Sequence, residues 1–437
     1  MKRDQVSGFR SKVEGSRLEG WKVERLGDVC EVFADGDWIE SKDQSPKGIR
    51  LIQTGNVGNG VFKDRGEKAR YISVETFKRL RCTEIFEGDC LISRLPDPVG
   101  RTCILPDTGE RMITAVDCTI VRFDKNKIIP EFFNYYSQSV QYLNDIDHET
   151  TGTTRKRISR SKLAEVEIPL PPLPEQKRIV SLLDETFAAL AQVGANAARN
   201  LVNAREVFEA ELNVIFGNGR DWEEKRLFEI GETQTGTTPK TSEKKNYGDF
   251  IPFIKPADID INGDGEIRYD NEGLSKTGLQ KGRLMPENSV LMVCIGASIG
   301  KVGFADRNVS CNQQINTLTA GKGYSTKFFY YAMRSKNFYN SVIKNSAQAT
   351  LPIINKSKWE NLTVRFPKSL GEQRAIVQRL EGLAKESRRL EEVYRQKMED
   401  VEELKKSVLR EAFTPSQPPP NATINLSNLG EVNRHNT

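Results

Sequence analysis

Gly296, Gly300 and Lys301 follow an apolar run in the stretch VLMVCIGASIGKVG (290–303), and these are the residue types of a loop that cradles phosphate. Such a loop places four residues between its glycines, so that several backbone N–H groups converge on one anion. It follows its Lys with a Ser or Thr that holds Mg²⁺. Here only Ala297, Ser298 and Ile299 separate the glycines, and Val302 follows the Lys. The spacing reads instead as a strand, a tight turn at Gly296 and a second strand beginning near Lys301.

Other chemistry is scarce. The chain holds two histidines, His148 and His435, and neither has metal-ligand spacing, so no metal site is expected. The Pro-Pro pairs in LPPL (Pro171-Pro172) and in QPPPN do not make the Asp/Asn-Pro-Pro-aromatic tetrad of an adenine methyltransferase. No G-x-G-x-x-G follows a strand, so no dinucleotide site is expected. Pro96-Asp97, Pro106-Asp107 and Glu175-x-Lys177 are nuclease-like fragments without the strand context that gives such a motif meaning. No catalytic residue is expected.

The most pointed feature is basic. In the stretch 150–162, TTGTTRKRISRSK, Thr153, Thr154, Arg155, Lys156, Arg157, Arg160 and Lys162 crowd one loop. Thr hydroxyls and Arg forks suit phosphates and guanine edges. A solvated turn is the competing reading. Net charge is +5 over 437 residues. Residues 175–217 carry a net −2 and residues 372–413 a net zero, so the remainder carries +7, which suits an anionic partner.

The elements that must position these groups occur twice. WKVERLGDV at Trp21 recurs as WEEKRLFEI at Trp222, EGDCLISRLPDPVGR at Glu87 as ENSVLMVCIGASIGK at Glu287, FFNYY at Phe132 as FFYYA at Phe328, and EQKRIV at Glu175 as EQRAIV at Glu372. Gly300-Lys301 therefore aligns with Gly100-Arg101, whose preceding loop has no first glycine, which removes the phosphate-loop reading. The basic loop aligns with NSAQATLPIINKSK, which is far less basic. Duplicated domains that keep a scaffold and diverge in this loop look like two readers with different targets.

Each copy reads as an α+β front part followed by one long helix. Short apolar or alternating runs such as RLIQT, DCLIS and SVLMVCI predict strands. The aromatic stretches PEFFNYYSQSVQYL and TKFFYYAMRSKNFY predict amphipathic helices whose rings are core. In the first long helix the apolar residues, among them Ile179, Leu183, Leu190 and Leu201, step by 3.6; in the second, Leu380, Leu383, Leu390 and Leu404 belong to a stripe stepping close to 3.5. At ~1.5 Å per residue each helix is roughly 60 Å long. The expected arrangement is a pseudo-two-fold pair of antiparallel helices with these residues between them and a domain at each end. Each helix folding back on its own domain is the alternative. The expected boundaries are an N-terminal arm (1–19), a first domain (20–174), a first helix (175–217), a second domain (218–371), a second helix (372–413) and a polar tail (414–437).

The segments IPLPPLPEQKRIV (168–180) and VRFPKSLGEQRAIV (364–377), the openings W…RLGDV and W…RLFEI, and FIKPADI at Phe253 together resemble the specificity subunit of a type I restriction–modification system, over roughly 20–413. The second copy lacks the prolines of the first and has a capping box, Ser369-x-x-Glu372, in their place. The resemblance implies a non-catalytic protein; seven cysteines without a C-x-x-C pair and no apolar run of ~18 residues suit a cytoplasmic chain with no membrane association. Each front part would read one half of a split double-stranded DNA site. The helices would dock two methyltransferase subunits carrying S-adenosylmethionine, with restriction or translocase subunits using ATP and Mg²⁺ as further partners. No cofactor is expected on this chain. Glu175-Gln176 and Glu372-Gln373, at equivalent helix starts, are the expected docking marks. DNA candidates beside the basic loop are Gln53, Asn56, Arg94 and Arg101 in the first copy. In the second they are Lys255, Lys301, Asn312, Gln313, Gln314 and Gln348, because amides pair with adenine and Arg with guanine. A helical assembly scaffold with degenerate domains that do not read DNA is the rival reading.

Overall fold

A computed structural model describes residues 21–152, 156–218, 221–259, 265–347 and 351–413. The described residues form two compact units, one of 21–195 with 397–413, the other of 196–396. The expected arm and tail lie outside them.

In the first unit a four-stranded antiparallel sheet runs in the order Cys30–Asp35, Cys118–Phe123, Cys90–Ser93, Thr102–Ile104. Both faces are covered. Cys90, Ile92 and Val121 meet the aromatic helices Pro130–Tyr136 and Val140–Glu149 through Phe133, Tyr136 and Tyr142. Leu91, Cys118 and Ile120 point the other way, onto a second sheet that includes Ile52, Ile85 and Met112. Side chains alternate faces along a strand, so a strand buried on both reads as a continuous apolar run, as DCLIS does. The second sheet contains a parallel pair, Ile49–Ile52 with Met112–Thr114. A short ladder between Lys22–Arg25 and Glu167–Leu170 closes the domain where its chain enters and leaves.

The second unit repeats this plan. Its four-stranded sheet runs Gly231–Thr235, Ile315–Ala320, Ser289–Val293, Val302–Ala305. Its parallel pair is Tyr247–Ile254 with Ser310–Cys311, and its closing ladder is Glu223–Arg226 with Thr363–Phe366. Val290 and Met292 face Phe328, Phe329 and Trp359, while Leu291 and Val293 face Ile254 and Ile259. The α+β expectation thus holds in each unit, and the aromatic residues are core.

The glycine-lysine stretch is an antiparallel hairpin, with Met292 opposite Val302. Gly300 has φ +92°, and a Cβ there would meet the Tyr339 ring at 2.5 Å; Gly100 has φ +86°, with Ile146 at 2.9 Å. Both glycines are needed for a left-handed turn pressed against a helix.

The long helices span Leu173–Asn218 and Leu370–Phe413. In the first unit Ile179 and Leu183 near one helix start share a core with Leu409 and Phe413 at the other helix end. In the second unit Phe208 and Leu212 share a core with Val377 and Leu380. Within each unit, then, the helix segments run antiparallel, and both also pack on their domain. Leu183, Leu190, Ala197 and Ala204 are buried at seven-residue intervals, as are Leu380, Ser387 and, fourteen on, Val401. The middle of both helices thus has the seven-residue repeat of a coiled coil, and Ile179, Phe208 and Leu212 of the expected 3.6 stripe are buried beyond it. The Ser387 hydroxyl donates to the Ala204 carbonyl, a contact that only a close approach of two backbones allows.

On the second helix Leu380, Ser387 and Val401 of the expected stripe are buried, whereas its alternate leucines are not. Leu404 is 44 % exposed, and Leu383 and Leu390 are half-buried, as is Leu201 on the first helix. Residues half a heptad apart from the buried set, such as Glu391, face the partner helix instead: Arg205 Nε lies 2.8 Å from the Glu391 carboxylate. No helix among the described residues is long and apolar enough to cross a membrane.

Leu183→Ala leaves a cavity in a fully buried site and is expected to destabilise by about 2–5 kcal/mol. Leu404→Ala is expected to change stability by less than ~0.5 kcal/mol. Denaturant midpoints at unchanged slope measure both.

Candidate nucleic-acid interface

At the carboxyl end of the first parallel strand each unit builds the same turn. Gln53 N–H donates to Asn56 Oδ1 at 3.0 Å, and Lys255 N–H donates to Asp258 Oδ2 at 2.9 Å. The cation after the hairpin glycine pins this turn from the sheet side. Arg101 donates Nε to the Val57 carbonyl at 2.7 Å, Nη2 to Thr54 at 2.8 Å, and Nη1 to Leu95 and Pro98 at 2.7 and 2.9 Å. Lys301 Nζ reaches the equivalent Ile259 carbonyl at 3.4 Å. Arg101 is 8 % exposed and spends four of its five N–H groups on its own backbone, so it is corrected from DNA reader to brace. Asn56 is corrected likewise: it is buried, and its Nδ2 donates to the Lys63 carbonyl at 3.0 Å. Gln53 is half-buried at the turn's start, and half-buried Lys255 pairs with Glu272.

Arg94 is also internal. It is 4 % exposed, donates to the Val116 carbonyl and lies 3.2 Å from the Asp35 carboxylate. Burial pushes its guanidinium pKa down, with Asp35 opposing. Cys294 occupies the equivalent strand end in the second unit, where its N–H and carbonyl tie down Gln314 and Ile354 as those of Arg94 tie down Asp117 and Ile158.

The basic loop is a hairpin closed by a bridge between Thr151 and Arg157. Thr153, Thr154 and Arg155 lie outside the described residues. Each described cation faces a carboxylate of its own unit. Lys156 pairs with Asp147, Arg157 with Asp117 at 3.0 Å, Arg160 with Asp35 at 3.6 Å, and Lys162 with Glu149 at 3.2 Å. These pairs are solvent-exposed and weak. The equivalent hairpin in the second unit closes between Ala347 and Ile353, with Gln348 outside the described residues. There the exposed Ile353 stands where the first unit has Arg157, and Leu351 beside it is exposed too. Asn312 is buried, and its amide is exchanged with Gln314 at 3.0 and 3.1 Å, so it is corrected from base reader to a turn lock. Gln313 is the exposed amide of that stretch, accepting from the Thr238 hydroxyl.

The two helix-start glutamines do something that sequence reasoning missed. Gln176 is fully buried. Its Oε1 accepts from Ile129 N–H at 2.8 Å and its Nε2 donates to the Lys127 and Pro171 carbonyls at 2.9 and 2.8 Å. Gln373 is fully buried, accepting from Ser325 N–H at 2.9 Å and donating to the Pro367 carbonyl at 2.9 Å. Ile129 and Ser325 are the N-cap residues of the equivalent aromatic helices. These glutamines bolt a domain to its long helix and are inaccessible to a partner, which corrects their docking role. Their recurrence in EQ pairs was the available indication, read outward instead of inward. Their neighbours stay at the surface: half-buried Glu175 chelates Arg178 at 2.8 Å, and exposed Glu372 has its N–H on the Ser369 hydroxyl at 3.4 Å.

In the second unit the helix pair carries an open groove lined by Val207, Ala210, Val214, Gly382 and Leu383, with Glu211, Arg379 and Glu386 at its rim. Val207 and Val214 are more than half exposed. The 197-residue offset of the repeat carries Val207 onto Leu404, an exposed leucine of the first unit.

A duplicated α+β domain with a long helix, an internal glutamine bolt and divergent surface hairpins defines the class, and comparison with known proteins agrees. The type I restriction modification DNA specificity domain matches residues 18–197 and again 219–399, and the chain belongs to that family. The MjaVIII type I restriction enzyme specificity subunit of Methanocaldococcus jannaschii is 24 % identical over 433 residues, 92 % of this chain and 94 % of its own length. The HindI specificity subunit of Haemophilus influenzae is 28 % identical over 192 residues, 42 % of this chain and 41 % of its own. Among solved structures, one of complex assembly and conformational transition of the type I R-M system has a TM-score of 0.70 at 18 % identity, over 91 % of this chain and 98 % of that one. The HsdS subunit from Thermoanaerobacter tengcongensis has 0.59 at 19 %, over 92 % and 99 %. These structures share the fold.

Gln176→Leu strands the Ile129 N–H and two carbonyls and is expected to cost about 1–3 kcal/mol. Amide exchange at Ile129 should accelerate. Glu372→Ala, at an exposed side chain, should leave both readouts unchanged.

Proposed function

We propose that this chain is the DNA-specificity subunit of a type I restriction–modification complex and that each unit reads one half of a bipartite site. The observation that carries the reading is the match of one family on two units whose scaffolds repeat while their surface hairpins differ. A cationic hairpin suits phosphate and guanine. A hairpin with exposed Leu and Ile suits the thymine methyl group. Two such hairpins serve two dissimilar half-sites.

The chain supplies recognition and no chemistry. Two methyltransferase subunits with S-adenosylmethionine methylate adenine, and restriction or translocase subunits with ATP and Mg²⁺ join them, in the cytoplasm. The surface offered to a methyltransferase is the apolar groove on the helices, since the buried glutamines are closed to it. Exposed apolar side chains flanked by opposite charges suit a partner helix.

Two outcomes test this reading. Methylated adenines mapped in DNA exposed to the reconstituted complex should define two short specific elements with an unread gap; a continuous site or unselective methylation would overturn it. Val207→Glu with Val214→Glu should abolish co-purification with the methyltransferase while the chain remains folded by circular dichroism, whereas Glu175→Ala should leave the complex intact.

A further inference from the structure

We propose that Lys63 in the first unit and Arg268 in the second are equivalent phosphate contacts, with Arg65 a second contact present only in the first. This rests on the DNA-reading function above and assigns its backbone grip to residues outside the basic hairpin. The equivalence is structural. Lys63 N–H donates to the Asn56 carbonyl at 2.8 Å, and Arg268 N–H donates to the Asp258 carbonyl at 2.8 Å. Each follows a residue that bridges back to the end of the turn, Phe62 to Val57 and Ile267 to Ile259. The segment is therefore a short return strand beside the turn that Arg101 or Lys301 braces.

Alternation along that strand turns these cations outward. Phe62 and Ile267, just before them, pack into the interior. The residues just after are also engaged with their own unit. Asp64 pairs with Arg50, and Tyr269 accepts from the Asp306 N–H at 3.2 Å with Arg307 stacked 4.3 Å from its ring. Lys63 and Arg268 lie between them, exposed, and their side chains make no hydrogen bond or ion pair among the described residues. Arg65 projects on the same side as Lys63, also exposed and unpaired, and its Nη1 lies 2.2 Å from where a Cβ on Gly55 would stand. The Lys63 stem lies across Gly58 in the same way, with Cε at 2.9 Å. Two glycines thus let both stems lie flat on the turn.

This contrasts with the hairpin 151–157 and its neighbours, where every described cation already faces a carboxylate. A phosphate arriving there must displace that carboxylate, whereas at Lys63, Arg65 and Arg268 it displaces only water and counterions. The two copies differ at the flanking positions, Asp64 against Tyr269 and Arg65 against Asp270, yet both present a cation between an inward apolar residue and a side chain held by its own unit. A phosphate contact needs charge and reach but no base geometry, so Lys and Arg are interchangeable there.

The test is DNA binding by the full methyltransferase complex with Lys63→Gln, Arg268→Gln and the double variant, from ~50 to ~200 mM salt, on cognate and scrambled duplexes. Each single variant should weaken both duplexes by the same factor and reduce the log–log salt slope by about one; the double should reduce it by about two. Lys63→Arg should restore the parental slope. Parental binding and slope in the double variant would overturn the inference, as would a loss confined to the cognate duplex, which marks a base contact. If the parent complex itself binds no DNA, it is the function proposed above that fails.

Discussion

A glutamine side chain with no access to water joins each recognition domain to its long helix. An amide can accept one backbone N–H and donate to carbonyls at the same time, and Gln176 and Gln373 do both. The N–H they accept belongs to the N-cap residue of the aromatic helix that packs on the central sheet. One side chain therefore sets the angle at which helix, closing ladder and domain core meet. The surrounding sequence is free to vary: PLPPLPEQ and PKSLGEQ differ in prolines and capping, yet Pro171 and Pro367 offer their carbonyls to the same amide position. Burial makes the bond obligatory, because an amide buried without partners costs more than the bond itself is worth.

The same economy of polar groups shapes the domain surface. The turn after the first parallel strand has to leave the sheet at a defined angle, and carbonyls released there need donors. Arg101 donates to the Thr54 and Val57 carbonyls of that turn and Lys301 reaches the Ile259 carbonyl, so a cation after the hairpin glycine braces the turn in both copies. A guanidinium bound to four carbonyls is a structural part, whatever its charge suggests. Charge that is left for a partner lies one strand further on, where the chain has already satisfied its own backbone.

Specificity and scaffold are thereby separated in space. The ladders, the covered sheet and the helix seam are alike in the two units. Differences collect in the hairpins 151–157 and 347–353 and in the amide stretch 312–314. Such loops stand on a braced turn or strand end, so a change of side chain there alters what is presented without altering how it is held.

The sequence by itself determined the duplication, the α+β class of each copy, the presence of the two long helices and the hairpin nature of the glycine-lysine stretch. All of these follow from local periodicity and from patterns that recur at a near-constant offset. Tertiary structure alone decided which polar residues turn inward. Arg94, Arg101, Asn56, Asn312, Gln176 and Gln373 carry the side chains of nucleic-acid or partner contacts, but all are buried and bonded to their own chain, Asn56 and Asn312 within their turns and the others also across the fold. It also decided which leucines of the second helix are buried. Leu380 is fully buried, while Leu404, of the same type and on the same stripe, is left in solvent and Glu391 faces Arg205. Helical periodicity in sequence specifies an apolar face only to within the width of that face, about 100°. The partner helix chooses the line along it, through close contacts such as Ser387 on Ala204 that no single helix encodes.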